Sequence, residues 1–340
     1  MTKPTVLVIA PTPYFSDRGC HIRIYEELKL IEQFGYQAQL VTYPLGRDLG
    51  AVTIHRTKSL PWYHKTTAGP ALSKLLLDVF LLVLARRITK QLRPQIIHAH
   101  LAESMLIACW LKLQWRIPIV LDLQSVFDIE LKSYGGMWKI CAPIAKLYER
   151  WAIAQADHVI VSNEAAAKIL KERYPDRPVV VLADGIGQVQ TTPIEKTYDI
   201  VYSGGLGKQK GTDQLIDILK KVSTKNILII ASDPGDVWKK KLRYRTWINR
   251  IPYEELLPTL AQAKIGIEPK PIESTEGSAK ELNYMAAGVV PAHTSDDVQK
   301  LLNDETWYEK RHFEISQNIS DHLWSRQQLT LKKVYESCTT

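Results

Sequence analysis

Hydrophobic positions along the chain follow two alternating spacings. Short runs of β-branched and other apolar residues, as at 5–10, 95–100 and 117–123, are typical of buried β-strands. Between them, apolar side chains recur every three or four residues, as at 19–34, where Gly35 ends the pattern of an amphipathic helix. Because strands and helices alternate, we predict parallel, doubly wound α/β architecture with helices on both faces of the sheet.

Residues 184–197 interrupt this alternation. The segment, DGIGQVQTTPIEKT, contains two glycines, a proline and polar residues, a composition typical of a linker between domains. A second series of strands and helices starts at residue 198, and 340 residues suffice for two domains that each bury a core. We therefore predict two tandem Rossmann-like domains, at 1–184 and 198–320, joined by a linker at 185–197.

The longest apolar run, LLLDVFLLVLA at 75–85, is shorter than the roughly 20 residues that span a bilayer and contains an aspartate. Basic residues flank it: Lys74, Arg86, Arg87, Lys90 and Arg93. Two arrangements of this helix remain open. It packs in a core with its basic ends reaching solvent, which is the commoner arrangement, or it lies on an anionic lipid surface.

Charge and cysteine content narrow the class of protein. The net charge is +8 and the pI about 9.1, which indicates an acidic partner such as a phosphate compound or anionic lipid. Nucleic acid is not expected, because the basic residues are dispersed and belong to no recognition motif. Four cysteines at no metal-ligand spacing, and an N-terminus without a signal peptide, predict a cytoplasmic location.

Parallel sheets bind ligands beyond the carboxyl ends of their strands, where the amides of helix N-termini point at them. The first loop in such a position, at 11–23, contains Gly19, which permits close approach of a ligand, and Ser16 or Asp17 to cap the following helix. A glycine-containing turn without a ligand explains this loop equally well.

The second such loop, YSGGLGKQKGTD at 202–213, is richer in glycine. Its candidate phosphate-binding residues are four glycines and two lysines: Gly204, Gly205, Gly207, Gly211, Lys208 and Lys210. Glycines let several amides converge on an anion and a lysine adds a point charge, so a diphosphate site is favoured over a purely structural turn. Gly211 is expected to close the turn before the next helix, with Asp213 in the first helical turn.

The third candidate is STEGSAKELNYMAAG at 274–288. A helix that begins near Ser278 would direct its unpaired amides, together with Lys280, at the same diphosphate. Ser278 and Glu281 also match the S-x-x-E pattern of a capping box, which explains both residues without a ligand. Both explanations remain open.

These motifs occur in an order that resembles a known family. The segments GGLGKQKGTDQLIDIL, IPYEELLPTLAQAKIGIEP and SAKELNYMAAGVVPAHTS are similar, in this order, to the donor-binding domain of GT-B glycosyltransferases, in particular the retaining family 4. Residues 13–44 and 322–335 are similar to other parts of the family. The resemblance implies a GT-B fold, in which the first domain binds the acceptor and the second binds the nucleotide sugar. It also implies a cleft between the two domains and a C-terminal helix, at 321–340, that crosses back to the first domain.

For activity, the resemblance implies transfer of a sugar from a nucleoside-diphosphate donor, most often a UDP-sugar such as UDP-glucose, to a polysaccharide or lipid-linked acceptor. It implies a retaining, metal-independent reaction with no cofactor beyond the nucleotide sugar, and the chain contains no Asp-x-Asp motif. An enzyme that builds such glycans is expected at the inner face of the membrane, in peripheral contact with anionic lipid.

Several positions depart from the family pattern. Gly205 stands where the family has an arginine for the diphosphate, while Lys210 is retained. Asn283 stands where the family has the second of two glutamates that hold the donor. Glu273 and Glu281 have the family spacing but lie two residues out of register with the helix, a shift that turns a helical side chain by about 200°.

In the first domain, Asp122 and Gln124 stand in place of a catalytic histidine of the family, and His98 and His100 follow the neighbouring strand. The donor-binding residues implied by the resemblance are Gly19, Gly204, Gly205, Lys208, Lys210, Ile251, Gly277, Ser278, Ala279, Lys280 and Asn283. The catalytic candidates are Glu273, Glu276 and Asp122. No metal ligand is expected.

The departures leave two other functions open. One is a degenerate family member, or a partner subunit, that binds a nucleotide without transferring sugar. The other is a nucleotide-sugar epimerase with the same two-domain architecture.

Overall fold

The computed structural model describes residues 3–50, 52–66, 73–207, 210–231, 240, 242, 245–269 and 279–339. Within these ranges the chain divides into two compact units. Unit 1 contains the described residues up to Ala183 and from Gln327 onward, and unit 2 contains those from Asp184 to Arg326. Each unit is built on one parallel sheet, which confirms the predicted α/β class.

The described strands of unit 1 are β1 (Thr5–Ala10), β2 (Gln37–Thr42), β3 (Thr53–Arg56), β4 (Ile96–His100), β5 (Ile119–Leu123), β6 (His158–Val161) and β7 (Val179–Val181). They are parallel and lie in the order β3-β2-β1-β4-β5-β6-β7. The helices between them are α1 (Gly19–Gln33), α2 (Ser73–Leu92), α3 (Met105–Trp115), α4 (Phe127–Ser133), α5 (Gly136–Gln155) and α6 (Glu164–Arg173).

The described strands of unit 2 are β8 (Tyr198–Ser203), β9 (Ile227–Ile230), β10 (Thr246–Ile248), β11 (Ala263–Ile267) and β12 (Val290–Ala292). They are parallel and lie in the order β10-β9-β8-β11-β12. The helices that follow Asp184 are α7 (Thr212–Lys221), α8 (Tyr253–Leu260), α9 (Ala279–Ala286), α10 (Ser295–Asn303), α11 (Glu305–Asn318) and α12 (Trp324–Thr339). Helix α12 starts in unit 2 and ends in unit 1.

Helices cover both faces of the sheet in unit 1. Ile97 and Ala99 of β4 belong to an apolar core that they share with residues of α2, α3, α5 and α6. Because successive residues of a strand face opposite sides, His98 and His100 point to the other face. Helix α1 and the last turns of α12 lie there, and the Tyr335 hydroxyl is 2.5 Å from Nδ1 of His98.

The segment predicted as a linker is attached to unit 2 along its length. Ile186 is buried, and its N–H donates to the carbonyl oxygen of His322 at 2.7 Å. Further on, Lys196 Nζ donates to the carbonyl oxygens of Ala263 and Gly288, both at 3.0 Å. The segment is therefore held by hydrogen bonds to the body of unit 2.

The strands predicted from apolar runs are present: β1 has the predicted bounds, and the others shift by one or two residues at one or both ends. Strands β3 and β10 were not predicted, because both are short edge strands with half-buried or exposed residues and no apolar run. The predicted cap of α1 at Ser16 or Asp17 is wrong. Arg18, whose backbone is extended, directly precedes the helix without a side-chain cap, and the Ser16 hydroxyl lies 3.2 Å from Nδ1 of His21 instead.

Helix α2 carries the longest apolar run and has two apolar faces. One face is buried in the core of unit 1: Leu77, Leu81, Ala85 and Ile88. The other leaves large side chains exposed: Leu75, Leu76, Val79 and Val83. None of the described helices combines the length and the apolar character needed to cross a bilayer.

Candidate functional site

The candidate nucleotide site of unit 2 lies at the carboxyl edge of its sheet, where β8 and β11 are neighbours. The chain leaves β8 toward β9 on one side and leaves β11 toward β12 on the other, so a topological switch point separates the two strands. Helices α7 and α9 begin after these strands. Because the first amides of a helix have no helical acceptor and carry the positive end of its dipole, this edge suits an anion.

The glycine loop after β8 closes onto the end of β11. Gly211 has a φ of +72° directly before α7, and a Cβ there would lie 2.3 Å from the carbonyl oxygen of Pro269. Thr212 Oγ1 accepts a hydrogen bond from the Gly207 N–H at 2.7 Å and donates to the Gly207 carbonyl at 2.9 Å. Gly211 closes the turn as predicted, and the position excludes any side chain.

Lys280, in the first turn of α9, crosses the same loop. A Cβ at Gly204 would lie 2.6 Å from Lys280 Cε, so the glycine leaves room for the lysine stem. Lys280 Nζ lies 3.0 and 3.3 Å from the two carboxylate oxygens of Glu268. Since Glu268 is only 5% exposed, water screens this pair weakly. The charge of Lys280 is therefore largely offset by Glu268.

Glu268 is a functional candidate that the sequence analysis missed. It directly follows β11 in the segment KIGIEP, and no local motif marks it. Its backbone carbonyl accepts a hydrogen bond from Nδ1 of His293 at 3.1 Å. The signal that could have found it is an acidic residue at the end of a buried parallel strand, where few charges are tolerated without a partner.

Tyr284 joins the two central strands beneath the loop. Its hydroxyl accepts a hydrogen bond from the Ser203 N–H at 3.0 Å and donates to the Ile267 carbonyl at 3.1 Å. Its ring covers Gly266, where a Cβ would approach the ring atoms to 2.5 Å. These contacts determine how α9 is seated on the sheet, and hence where its neighbouring side chains point.

Asn283 and Lys280 lie three residues apart on α9 and therefore share one face of the helix. Asn283 is half-buried, and its side-chain amide makes no hydrogen bond to another described residue. Glu281 approaches a different group, with 3.7 Å between its Oε1 and Nε2 of His293. The helix register therefore groups Asn283, not Glu281, with Lys280.

In unit 1, the polar residues at the carboxyl ends of β4 and β5 are buried. Asp122 is fully buried and accepts two hydrogen bonds from Arg23, from Nε at 2.9 Å and from Nη2 at 3.0 Å. Arg23 Nε also lies 3.0 Å from Oε1 of Glu27, and its Nη1 donates to the Leu182 carbonyl at 2.8 Å. The pair is bidentate and fully enclosed, which gives Asp122 a part in stabilising the fold, while its catalytic role stays a prediction.

Two histidines complete this buried network. His100 Nδ1 lies 3.0 Å from Asp122 Oδ2, and His98 Nε2 lies 3.3 Å from Glu27 Oε2. Burial by itself raises the pKa of the Asp122 carboxyl, but Arg23 and His100 outweigh it and hold that pKa well below its usual range. Burial lowers the pKa of His98 well below its ordinary value, and His100 adds to the shift, so His98 is neutral at neutral pH.

The four side chains of Glu27, His98, His100 and Asp122 also have the chemistry of a metal site, because one ligand atom from each lies within 4.8 Å of the others. Arg23, however, already contacts both carboxylates, at 3.0 and 2.9 Å from its Nε. A metal ion would have to share this space with a permanent cation. We therefore interpret the cluster as a salt-bridge network that stabilises unit 1.

Comparison with protein families matches residues 18–185 to the glycosyl transferase 4-like domain. The structure also aligns with sucrose-phosphate synthase from Thermosynechococcus elongatus at a TM-score of 0.80, with 15% sequence identity, over 98% of this chain and 99% of the synthase. Residues 18–185 therefore form a glycosyl transferase 4-like domain, and the chain as a whole has the GT-B fold. The family resemblance predicted from the ordered motifs is thereby confirmed, and so is the GT-B fold.

Two further solved structures are similar to this chain. Anabaena HepE, in a complex with UDP and glucose, aligns at a TM-score of 0.72 with 11% identity, over 98% of this chain and all of that protein. WaaG, a glycosyltransferase involved in lipopolysaccharide biosynthesis, aligns at 0.68 with 11% identity, over 98% and 99% of the two chains. A comparison of the amino-acid sequence with curated proteins finds no significant match.

The structure gathers some of the predicted donor-binding residues at the carboxyl edge of unit 2: Gly204, Gly205, Lys210, Ala279, Lys280 and Asn283. Ile251 lies elsewhere in unit 2, partly buried against its core, and Gly19 is exposed at the start of α1 in unit 1. The remaining candidates, and with them the predicted capping box, fall outside the described residues: Lys208, Glu273, Glu276, Gly277 and Ser278.

Proposed function

We propose that the chain transfers a sugar from a UDP-sugar, such as UDP-glucose, to a polysaccharide or lipid-linked acceptor, with retention of configuration and without an essential metal ion. The observation that carries the donor half is the junction of β8 and β11, where a glycine loop and the first turns of α7 and α9 meet. HepE, which has this fold, has been crystallised with UDP and with UDP-glucose. The acceptor, the retaining mechanism and a cytoplasmic, membrane-peripheral location are proposed from the family resemblance and the basic charge.

In this proposal, backbone amides and Lys210 stabilise the departing diphosphate. The Lys210 stem lies beside Gly205, with its Cγ 4.0 Å from where a Cβ would stand, so the lysine is close to the loop backbone. Amides and a lysine that are already in place need little reorganisation as charge develops on the leaving group, which is the main source of electrostatic catalysis. Lys280 contributes less, because Glu268 offsets its charge.

Asn283 is proposed to bind the donor ribose, since its amide can both donate to and accept from hydroxyl groups. A neutral amide makes weaker hydrogen bonds than a carboxylate, so we expect modest donor affinity. Restoring the charge in Asn283→Glu is expected to tighten UDP binding about tenfold, the difference between a neutral and a charge-assisted hydrogen bond.

The donor half is tested by isothermal titration of UDP into the wild type and into Lys210→Ala. Loss of a charged partner for the diphosphate is expected to weaken binding about tenfold or more. Lys225→Ala is the matched control, because Lys225 is exposed and precedes β9 at the opposite edge of the sheet. Absence of binding at millimolar UDP, or equal affinity in Lys210→Ala and the wild type, would contradict the proposal.

The Lys280–Glu268 pair and the uncharged Asn283 favour one alternative, a degenerate member that binds the nucleotide without transferring sugar. Release of UDP from UDP-sugars, measured with and without glycan or lipid-linked acceptors, separates the two functions. Acceptor-dependent release supports the transferase. Tight UDP binding without release from any donor and acceptor pair supports the degenerate member.

A further inference from the structure

Helix α5 of unit 1 presents a stripe of large apolar side chains to solvent. The stripe repeats every three or four residues, which places its members on one helical face: Met137, Ile140, Ile144, Leu147 and Trp151. Their exposed fractions are 62%, 78%, 70%, 68% and 36%. The opposite face holds the residues that α5 buries, such as Ala145 and Ala152. Core packing therefore explains one apolar face of this helix and leaves the other without a partner in the described chain.

The neighbouring helices extend this stripe into a surface. Helix α3 contacts both α2 and α5, and all three contribute to the core on the same face of the sheet. We define the α2–α3–α5 surface by eleven exposed apolar residues of these helices, without Leu92 at the end of α2: Leu75, Leu76, Val79, Val83, Leu106, Leu113, Met137, Ile140, Ile144, Leu147 and Trp151. Large apolar side chains exposed together on neighbouring helices mark sites of interaction on soluble proteins.

The charges on this surface have one sign. The three helices contain eight lysines and arginines and two acidic residues. Both acids are turned inward: Asp78 accepts a hydrogen bond from the Tyr43 hydroxyl, and Glu149 is fully buried and accepts one from the Phe127 N–H. The exposed charged residues are therefore all basic: Arg86, Arg87, Lys90, Lys139, Lys146 and Arg150.

We propose that the α2–α3–α5 surface docks the protein onto an anionic lipid bilayer. Interfacial helices combine an apolar face that enters the acyl boundary with basic residues that bind lipid phosphates, and aromatic side chains such as Trp151 favour the interface. A second copy of the chain fits this surface less well, because two surfaces with only basic exposed charges repel each other. Helix α2 then combines the two arrangements considered for its apolar run: one apolar face packs in the core of unit 1, and the other lies on the lipid surface.

Lipid docking deepens the proposed function, because it would bring the protein to a lipid-linked acceptor. Only this benefit rests on the proposed function; the binding to lipid does not. Docking would hold such an acceptor within reach of unit 1 and reduce its search to two dimensions. Because vesicle binding is measured without nucleotide, its failure is distinguishable from a failure to bind UDP or to transfer sugar.

The apolar part of the surface is tested by co-sedimentation of the full chain with vesicles of phosphatidylglycerol and phosphatidylcholine, and with phosphatidylcholine alone. We expect binding to the anionic vesicles, and a partition coefficient reduced about tenfold or more in Ile140→Ser/Ile144→Ser. Phe313→Ser/Leu329→Ser is the matched control, since these residues are 63% and 68% exposed on other helices. Equal binding by the stripe variant and this control would overturn the proposal.

The basic part is tested with Lys139→Gln/Lys146→Gln/Arg150→Gln. At about 1 kcal/mol for each basic residue near an anionic surface, three charges predict about a hundredfold weaker binding at low salt. Lys220→Gln/Lys221→Gln/Lys225→Gln removes three exposed charges from unit 2 as the control and should bind like the wild type. Sedimentation velocity without lipid tests the alternative occupant, a second copy of the chain. If the wild type is a dimer and Ile140→Ser/Ile144→Ser is a monomer, the surface binds a second copy and lipid docking is overturned.

Discussion

At the carboxyl ends of β4 and β5, unit 1 encloses charged side chains, whereas at the carboxyl ends of β8 and β11, unit 2 presents a glycine loop and two helix N-termini. In unit 1, Arg23 pairs with both Asp122 and Glu27 in the interior. In unit 2, four of the eight residues at 204–211 are glycines, which leave backbone amides open to a ligand at this edge. Two sheets of similar topology thus differ in what their strand ends do: one stabilises the fold and the other is suited to a ligand.

The largest expected effect is in unit 1. Arg23→Met removes the cation and leaves Asp122 and Glu27 as buried carboxylates without it, which we expect to lower the free energy of unfolding by about 3–5 kcal/mol. Urea denaturation measures this loss. Arg326→Ala is the control, because Arg326 pairs with Asp321 at an exposed position and should cost about 1 kcal/mol or less.

A double variant that also changes Asp122 tests whether the unpaired charge causes this loss of stability. In Arg23→Met/Asp122→Asn one of the two carboxylates is also neutralised, and we expect part of the lost stability to return. If Arg23→Met unfolds at the same urea concentration as Arg326→Ala, the network does not stabilise unit 1 and the contrast between the units fails.

A smaller effect is expected in unit 2, from Gly211→Ala. A side chain there meets the Pro269 carbonyl and has to adopt a positive φ, so we expect a loss of about 1–3 kcal/mol in stability, together with weaker UDP binding. Gly205→Ala is the matched control in the same loop, because the nearest atom to its added Cβ is Lys210 Cγ at 4.0 Å. Similar losses in the two variants would show that the loop does not depend on the conformation of Gly211.

The smallest effect concerns pH and again unit 1. His98 has an ordinary pKa of about 6.5 when unfolded and a pKa well below that when folded, so the unfolded chain binds the extra proton first. Stability contributed by neutral His98 is therefore present above about pH 6.5 and falls as the pH drops, by at most about 1.4 kcal/mol per pH unit.

The measurement is urea denaturation between pH 7 and pH 5. We expect His98→Gln to show a shallower decline than the wild type, whereas His322→Gln, which changes an exposed histidine, should keep the wild-type slope. An unchanged slope in His98→Gln would mean that another group controls the pH dependence.

Local patterns predicted much of the fold and part of the candidate site. Strand β1 was predicted with its observed bounds, because a continuous apolar run needs burial on both faces of a parallel sheet. Gly211 was predicted to close the turn before α7, because few other residues adopt its backbone conformation. The edge strands β3 and β10 escaped prediction, since a strand that is only half covered carries no such run.

Short-range spacing in the sequence was enough to predict the alternating elements, the glycine loop and the order of motifs that matches the family. Which charges are paired and which apolar faces are covered depends on contacts that form only in the folded chain. Arg23 and Asp122 are 99 positions apart, and Lys280 and Glu268 are 12 positions apart, so no local pattern pairs them. The spacing of the stripe on α5 is that of an ordinary amphipathic helix, but in the fold another face of the helix is buried. The sequence does not show this, because burial depends on neighbours that are distant along the chain.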